Sequence, residues 1–165
     1  MSQNPPMAST AFTRHDHTKC VRTALGAADA LCETRKARMT PTRRRVLEIL
    51  LEEHKAIGAY DLLERLRVDG IADKPPVAYR ALNFLIEQGF VHRIEKLNAY
   101  VACDAPEVSH NPMFLICDTC HNVAEQPTDL PDNLGSTSKD AGGFLIQTMV
   151  IEAQGLCPTC QKDQK

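Results

Sequence analysis

Tryptophan is absent from this 165-residue sequence, and Phe and Tyr together make up only 5% of it. Any core must therefore be built mainly from Leu, Ile, Val and Ala, because apolar residues still reach 43%. No apolar run approaches the ~20 residues needed to span a bilayer. Residues 1–14 carry Pro5, Pro6, Ser9 and Thr10 but no apolar stretch of the kind a secretory signal has. The chain is expected to be cytoplasmic, with no membrane partner. A strong net charge is missing too, but the total of −2 conceals an asymmetry. Residues 1–102 hold 16 Lys/Arg against 12 Asp/Glu, whereas residues 103–165 hold 3 against 9. A basic half joined to an acidic half implies that only the first half meets an anionic partner such as DNA. The length allows one ordinary domain or two small ones.

Cysteine is plentiful by comparison. There are seven, and four fall in two C-x-x-C pairs, Cys117-Asp-Thr-Cys120 and Cys157-Pro-Thr-Cys160. In a cytosolic chain this pattern favours metal over disulfide. Two residues between thiols let both sulfurs turn toward one ion, and four thiolates at ~2.3 Å make the closed tetrahedral site of structural zinc. The competing readings are redox pairs or two disulfides. Redox chemistry needs one exposed pair with a depressed pKa, and nothing in it calls for two.

Along the chain, residues 1–18 form a polar, Pro-containing segment expected to be a mobile tail. His15, His17 and Cys20 could catch a metal there, but no fixed backbone orients them. From Lys19 to Lys36, Val21, Leu25, Ala28, Leu31 and Cys32 recur at helical spacing. Thr40-Pro41 starts a second helix with Val46, Leu47, Leu50 and Leu51 as its buried stripe, since Pro at the first turn gives up only an N–H that has no partner. Arg43, Arg44 and Arg45 at its start read equally as phosphate contacts or as a solvated face. Ala59 to Val68 is a third helix burying Leu62, Leu63 and Leu66. Val77 to Gln88 is a fourth, stopped by Gly89. Short helices followed by strand-like stretches from Gly89 and from Asn98 read as a helix-turn-helix with a two-stranded wing, residues 19–102.

At about 100° per residue, Ala78, Ala81, Leu82, Leu85 and Ile86 share one side of the fourth helix. Tyr79, Arg80, Asn83 and Glu87 share the other. Arg can pair bidentately with guanine, and a flat ring can touch a thymine methyl. The same pattern also fits an ordinary amphipathic surface helix. Beyond Cys103, Pro106 and Pro112 mark a hinge (residues 103–112). Met113–Cys117, Val123–Glu125 and Phe144–Glu152 then read as strands of a second unit, residues 113–165, with a weak helical pattern over 127–143.

His92, Cys103, His110 and Glu125 lie in four separate segments. A hairpin turning near Lys96-Leu97-Asn98 brings His92 and Cys103 near each other, but spacing alone does not require all four to converge. If they do, two imidazoles, a thiolate and a carboxylate suit zinc, since a thiolate disfavours magnesium and manganese.

Taken together, these residues resemble the Fur family of bacterial metalloregulators, most closely its zinc-sensing branch, Zur. The segments that carry the resemblance are Arg38-Met-Thr-Pro-Thr-Arg43, Ala59-Tyr-Asp-Leu-Leu63, Lys74-Pro-Pro-Val-Ala-Tyr-Arg-Ala-Leu82, Glu87-Gln-Gly-Phe-Val-His92, Cys117-Asp-Thr-Cys120 and Val150-Ile-Glu-Ala-Gln-Gly-Leu-Cys157. The match runs from about Leu31 to Cys160. It implies an α+β protein in which a winged helix-turn-helix domain precedes a small α/β dimerisation domain. It also implies structural zinc on Cys117, Cys120, Cys157 and Cys160, and a regulatory zinc on His92, Cys103, His110 and Glu125, two ions per chain. Tyr79 and Arg80 match the family's recognition-helix pair. Three features depart from the pattern. Val77-Ala78 replaces the usual Thr-Val and removes a hydroxyl, and Gln154 stands where many relatives have His. Only His110 remains of the His-rich run of iron and peroxide sensors, which argues for zinc.

The expected function is a zinc-responsive repressor of zinc uptake genes, a homodimer on an AT-rich palindromic operator, with no small-molecule substrate. It is not expected to be an enzyme, because neither an open metal position nor a nearby base is evident. The alternatives are an iron, manganese or peroxide sensor of the same family, or a structural zinc-ribbon adaptor.

Overall fold

The computed structural model describes residue 12 and residues 17–107, 112–128, 142–144 and 149–163. Four helices come first: α1 (His17–Thr34), α2 (Pro41–Leu51), α3 (Ala59–Val68) and α4 (Pro75–Glu87). They close on one core of aliphatic side chains, including Val46, Ile49, Leu50, Leu62, Leu66, Leu82 and Leu85, with Phe90 among them. Local chemistry sets the boundaries. Thr40 caps α2 by accepting the Arg43 N–H, with Pro41 in the first turn. α4 begins with Pro75-Pro76 and is stopped by Gly89, whose φ of +73° costs a side-chain-bearing residue far more.

The wing is a three-stranded antiparallel sheet, ordered β1 (Ile57–Gly58), β3 (Ala99–Ala102), β2 (Val91–Ile94). The hairpin turn covers residues 95–98, with Asn98 at φ +46°. The two-residue strand β1 is an addition to the two-stranded wing expected from sequence. It is too short to carry a periodic signal and exists only through pairing with Tyr100 and Ala99.

The second sheet is ordered β5 (Val123–Pro127), β4 (Pro112–Cys117), β6 (Ile151–Gly155), followed by the short helix α5 (Pro158–Lys162). β4 pairs antiparallel with β5 and parallel with β6. The strand expected over Phe144–Glu152 is instead Ile151–Gly155 within the described residues. Gly142 and Gly143 turn the chain at positive φ, and Phe144 is left 67% exposed. Pairing of Met113 with Ile151 through Cys117 with Gly155 sets the register, and apolar content does not. The weak helix expected over 127–143 lies mostly outside the described residues; Pro127 itself ends β5. Two further corrections concern helix faces. Ile49 is buried and Leu51 only half-buried, and Ile86 is 38% exposed because it sits at the edge of α4's apolar arc.

The two units share a small apolar cluster of Ile94 and Val101 from the wing with Phe114, Ile116 and Val123 from the second sheet. Backbone bonding reinforces it: the Val123 N–H donates to His54 O at 2.8 Å, and Lys55 bridges Asn122.

Candidate metal centres

Parallel pairing of β4 with β6 brings both C-x-x-C pairs to one end of the sheet, since Cys117 lies opposite Gly155. All four sulfurs, of Cys117, Cys120, Cys157 and Cys160, lie within 4.8 Å of one another. Cys120 Sγ and Cys157 Sγ are 3.8 Å apart. That is far beyond the ~2.05 Å of a disulfide. It matches the edge, about 3.8 Å, of a tetrahedron of sulfurs ~2.3 Å from a central ion. The cluster is also wired as such sites are: the Cys157 N–H points at Cys117 Sγ (3.4 Å) and the Cys160 N–H at Cys157 Sγ (3.5 Å). His121 turns the chain after the first pair at φ +59° and is exposed. Burial raises the Cys117 thiol, but N–H groups of Cys120, Cys157 and Thr119 outweigh it and bring it down to about 6. The hydrogen bond with Cys157, followed by burial, pushes Cys160 up to about 12. The cluster thus holds a thiolate ready for a cation, and Cys120 and Cys160, whose thiols are raised, give up protons as a metal binds. Phe12 and Leu156 pack against it.

The second constellation forms where the wing meets the second sheet. His92 lies on β2, Cys103 directly after β3, where its N–H donates to Phe90 O at 2.9 Å, and Glu125 on β5. One donor atom of each lies within 4.8 Å of the others. His92 Nε2 is 3.6 Å from Glu125 Oε2, and Cys103 Sγ is 4.0 Å from Glu125 Oε1. The Asp104 N–H holds Glu125 Oε2 at 3.1 Å, and the His92 ring lies 5.2 Å from the Phe114 ring, tilted by 56°. Nitrogen, sulfur and oxygen donors converging at this spacing fit one tetrahedral ion. The fourth expected ligand, His110, lies outside the described residues.

Burial, followed by the Glu125 carboxylate, pushes the Cys103 thiol up to about 12. The folded protein therefore keeps it protonated throughout the neutral range, and any metal that takes this sulfur must displace the proton. Affinity at this site should rise with pH, by about tenfold per unit for each proton released. Metal titrations at pH 6.5 and 7.5 with the four-cysteine site filled check this; equal affinities would mean that the thiol is not a ligand.

On α4, Tyr79 is 41% exposed, and Arg80 and Asn83 are exposed beside it. The arginines on α2 are engaged within the protein. Arg43 donates to Arg38 O at 2.5 Å and lies 3.7 Å over the Phe84 ring. Arg44 pairs with Asp29. Arg45 bonds Asp69, Glu48 and Glu52, which hold its guanidinium more firmly protonated. The sequence reading passes over Glu152, whose carboxylate accepts N–H groups of the wing turn. The available signal was a carboxylate within the apolar run Val150-Ile-Glu-Ala.

The family model described as the Ferric uptake regulator family matches residues 34–153. The zinc uptake regulation protein of Escherichia coli (strain K12) is 42% identical over 139 residues, covering 82% of this chain and 80% of that protein. A solved structure of a zinc uptake regulator complexed with zinc and DNA superposes with a TM-score of 0.81 at 39% identity, covering 87% of this chain and 97% of that one. Holo XcZur superposes with a TM-score of 0.73 at 38% identity, covering 85% and 98%.

Proposed function

Because this chain belongs to the ferric uptake regulator family, we propose that it is a zinc-responsive transcriptional repressor, not an enzyme, that binds a palindromic operator as a cytoplasmic homodimer and represses zinc uptake genes. The observation that carries this is the convergence of His92 and Cys103, at one end of the wing, with Glu125 on the second sheet. Residues 19–102 are the DNA-reading unit, 103–112 the hinge and 113–165 the dimerisation unit. We assign two zinc ions per chain: a structural one on Cys117, Cys120, Cys157 and Cys160, and a regulatory one on His92, Cys103, Glu125 and His110. Zinc, when bound, supplies the cross-link between wing and second sheet. The residues themselves do the rest: Glu125, held by the Asp104 N–H, fixes where the wing's open end can dock. In a dimer, a fixed wing sets the spacing of two α4 helices against successive major-groove faces. A coupled ligand acts only through tighter binding to that docked arrangement.

Tyr79, Arg80 and Asn83 are proposed to face bases, with Arg43 and Arg44 near the backbone. The Arg44–Asp29 pair is exposed on both sides and is worth about 0–1 kcal/mol, so a phosphate can displace Asp29. Arg80→Ala should cost about 1–3 kcal/mol on the correct operator and relax the preference at one base position. Equal losses on operator and scrambled DNA would reduce Arg80 to a phosphate contact.

The deciding experiment is binding to an AT-rich palindrome across buffered free zinc, with iron and manganese in parallel. Binding that switches on with zinc alone supports the proposal. Binding that follows iron or manganese would keep the family and overturn the metal. Binding indifferent to metal would leave a structural zinc protein.

A further inference from the structure

Glu125, Phe114 and Glu152 are direct register partners across β5, β4 and β6, so their side chains leave the same face of the second sheet. That face meets the β2–β3 hairpin along its length. Glu125 reaches the open end, at His92 and Cys103. The Phe114 ring lies against His92. Glu152 reaches the opposite end, where Oε1 accepts the Glu95 N–H at 2.6 Å and Oε2 accepts the Lys96 N–H at 3.0 Å. Both amides belong to the hairpin turn, beyond the paired residues Ile94 and Ala99. A carboxylate taking two N–H groups makes strong, charge-assisted bonds, and these need no metal.

We propose that Glu152 is a positioning residue, a metal-independent second anchor that holds the wing turn to the second sheet. The two anchors are separated by the length of a four-residue strand, about 13 Å. The shared apolar cluster and the Val123–His54 bond hold the two units together, and the Glu152 bonds add a directional tether at the turn end to the one at the hinge site. Two tethers fix its axis, and the hinge ligands then meet the metal in an arrangement that is already populated. The proposal rests on the reading of this chain as a zinc-switched DNA-binding protein. It adds the residue that sets how much free zinc the switch needs, because apparent affinity scales with the fraction of molecules already docked.

The test uses full-length Glu152→Ala and Glu152→Gln. The alanine variant should raise the free-zinc midpoint for operator binding about tenfold, while operator affinity at saturating zinc changes by less than about threefold. Exchange of the Glu95 and Lys96 amides should accelerate in protein carrying only the metal of the four-cysteine site, without DNA present. The glutamine variant, with one carbonyl acceptor left, should fall between alanine and the parent, and it carries the test if the alanine variant loses that structural metal. A purely structural role would instead lower the melting temperature and the zinc-saturated DNA affinity together. An unchanged midpoint with unchanged amide exchange, in a parent that switches normally, overturns the anchor. A parent that fails to switch overturns the functional reading, and the amide exchange then decides the anchor by itself.

Discussion

Cys103→Ser should abolish zinc-responsive DNA binding and leave the fold and the four-cysteine site intact. The side chain is 6% exposed and sits where the second unit meets the wing, 4.0 Å from Glu125. Serine is close in size, so little packing is lost, and the Cys103 N–H bond to Phe90 O that extends the hairpin is a backbone feature and survives. What disappears is the only sulfur among the three converging donors. A hydroxyl does not ionise near neutral pH and is a poor zinc ligand, so the cross-link between wing and sheet is lost. If the coupling between metal and DNA is about 100-fold, the substitution removes roughly 2.7 kcal/mol from the DNA-bound state. Metal analysis should fall from two zinc ions per chain to one, and operator binding should become flat across buffered zinc. A variant that still switches like its parent would sink the hinge assignment.

Cys117→Ser should act on structure instead. Cys117 is the last residue of β4, its sulfur receives the Cys157 N–H, and Cys157 in turn caps α5. Losing that sulfur opens the tetrahedron and releases both C-x-x-C turns at once. Structural zinc contributes on the order of 10–16 kcal/mol of apparent binding energy in zinc-finger peptides. Domains are stable by only about 5–15 kcal/mol in total. The second sheet should therefore unfold or its dimer dissociate. The helical core uses none of these cysteines. Limited proteolysis should accordingly yield a resistant fragment covering the four helices, and helical circular dichroism should largely persist. A full-length dimer with its parent's zinc content and one unchanged melting transition would refute a structural role for this site.

The elements most legible in the sequence were those governed by neighbouring residues. Thr40-Pro41 and the span Ala59–Val68 emerged as read, because caps and the 3.6-residue period act over a few positions. Readings that depended on distant partners were weaker. Arg43 and Arg44 read equally as phosphate contacts or as a solvated face, and their contacts with Phe84 and Asp29 could not be read from neighbouring residues. Phe144 looked like strand, but among the described residues the pairing with β4 begins at Ile151. For the hinge residues, spacing left convergence open, and the family resemblance was needed to expect it; the fold brings His92, Cys103 and Glu125 together.

The sequence by itself determined the four helical segments, most of their apolar positions, the charge asymmetry and the paired thiols of an ion-binding turn, since each is written in residues close along the chain. Only the tertiary structure decided which donors meet across the two units, which arginines are already engaged, and that Glu125, Phe114 and Glu152 form one row against the wing. The arginine contacts follow from how the helices pack, and the others from strand register, which is fixed by backbone pairing between segments far apart in sequence.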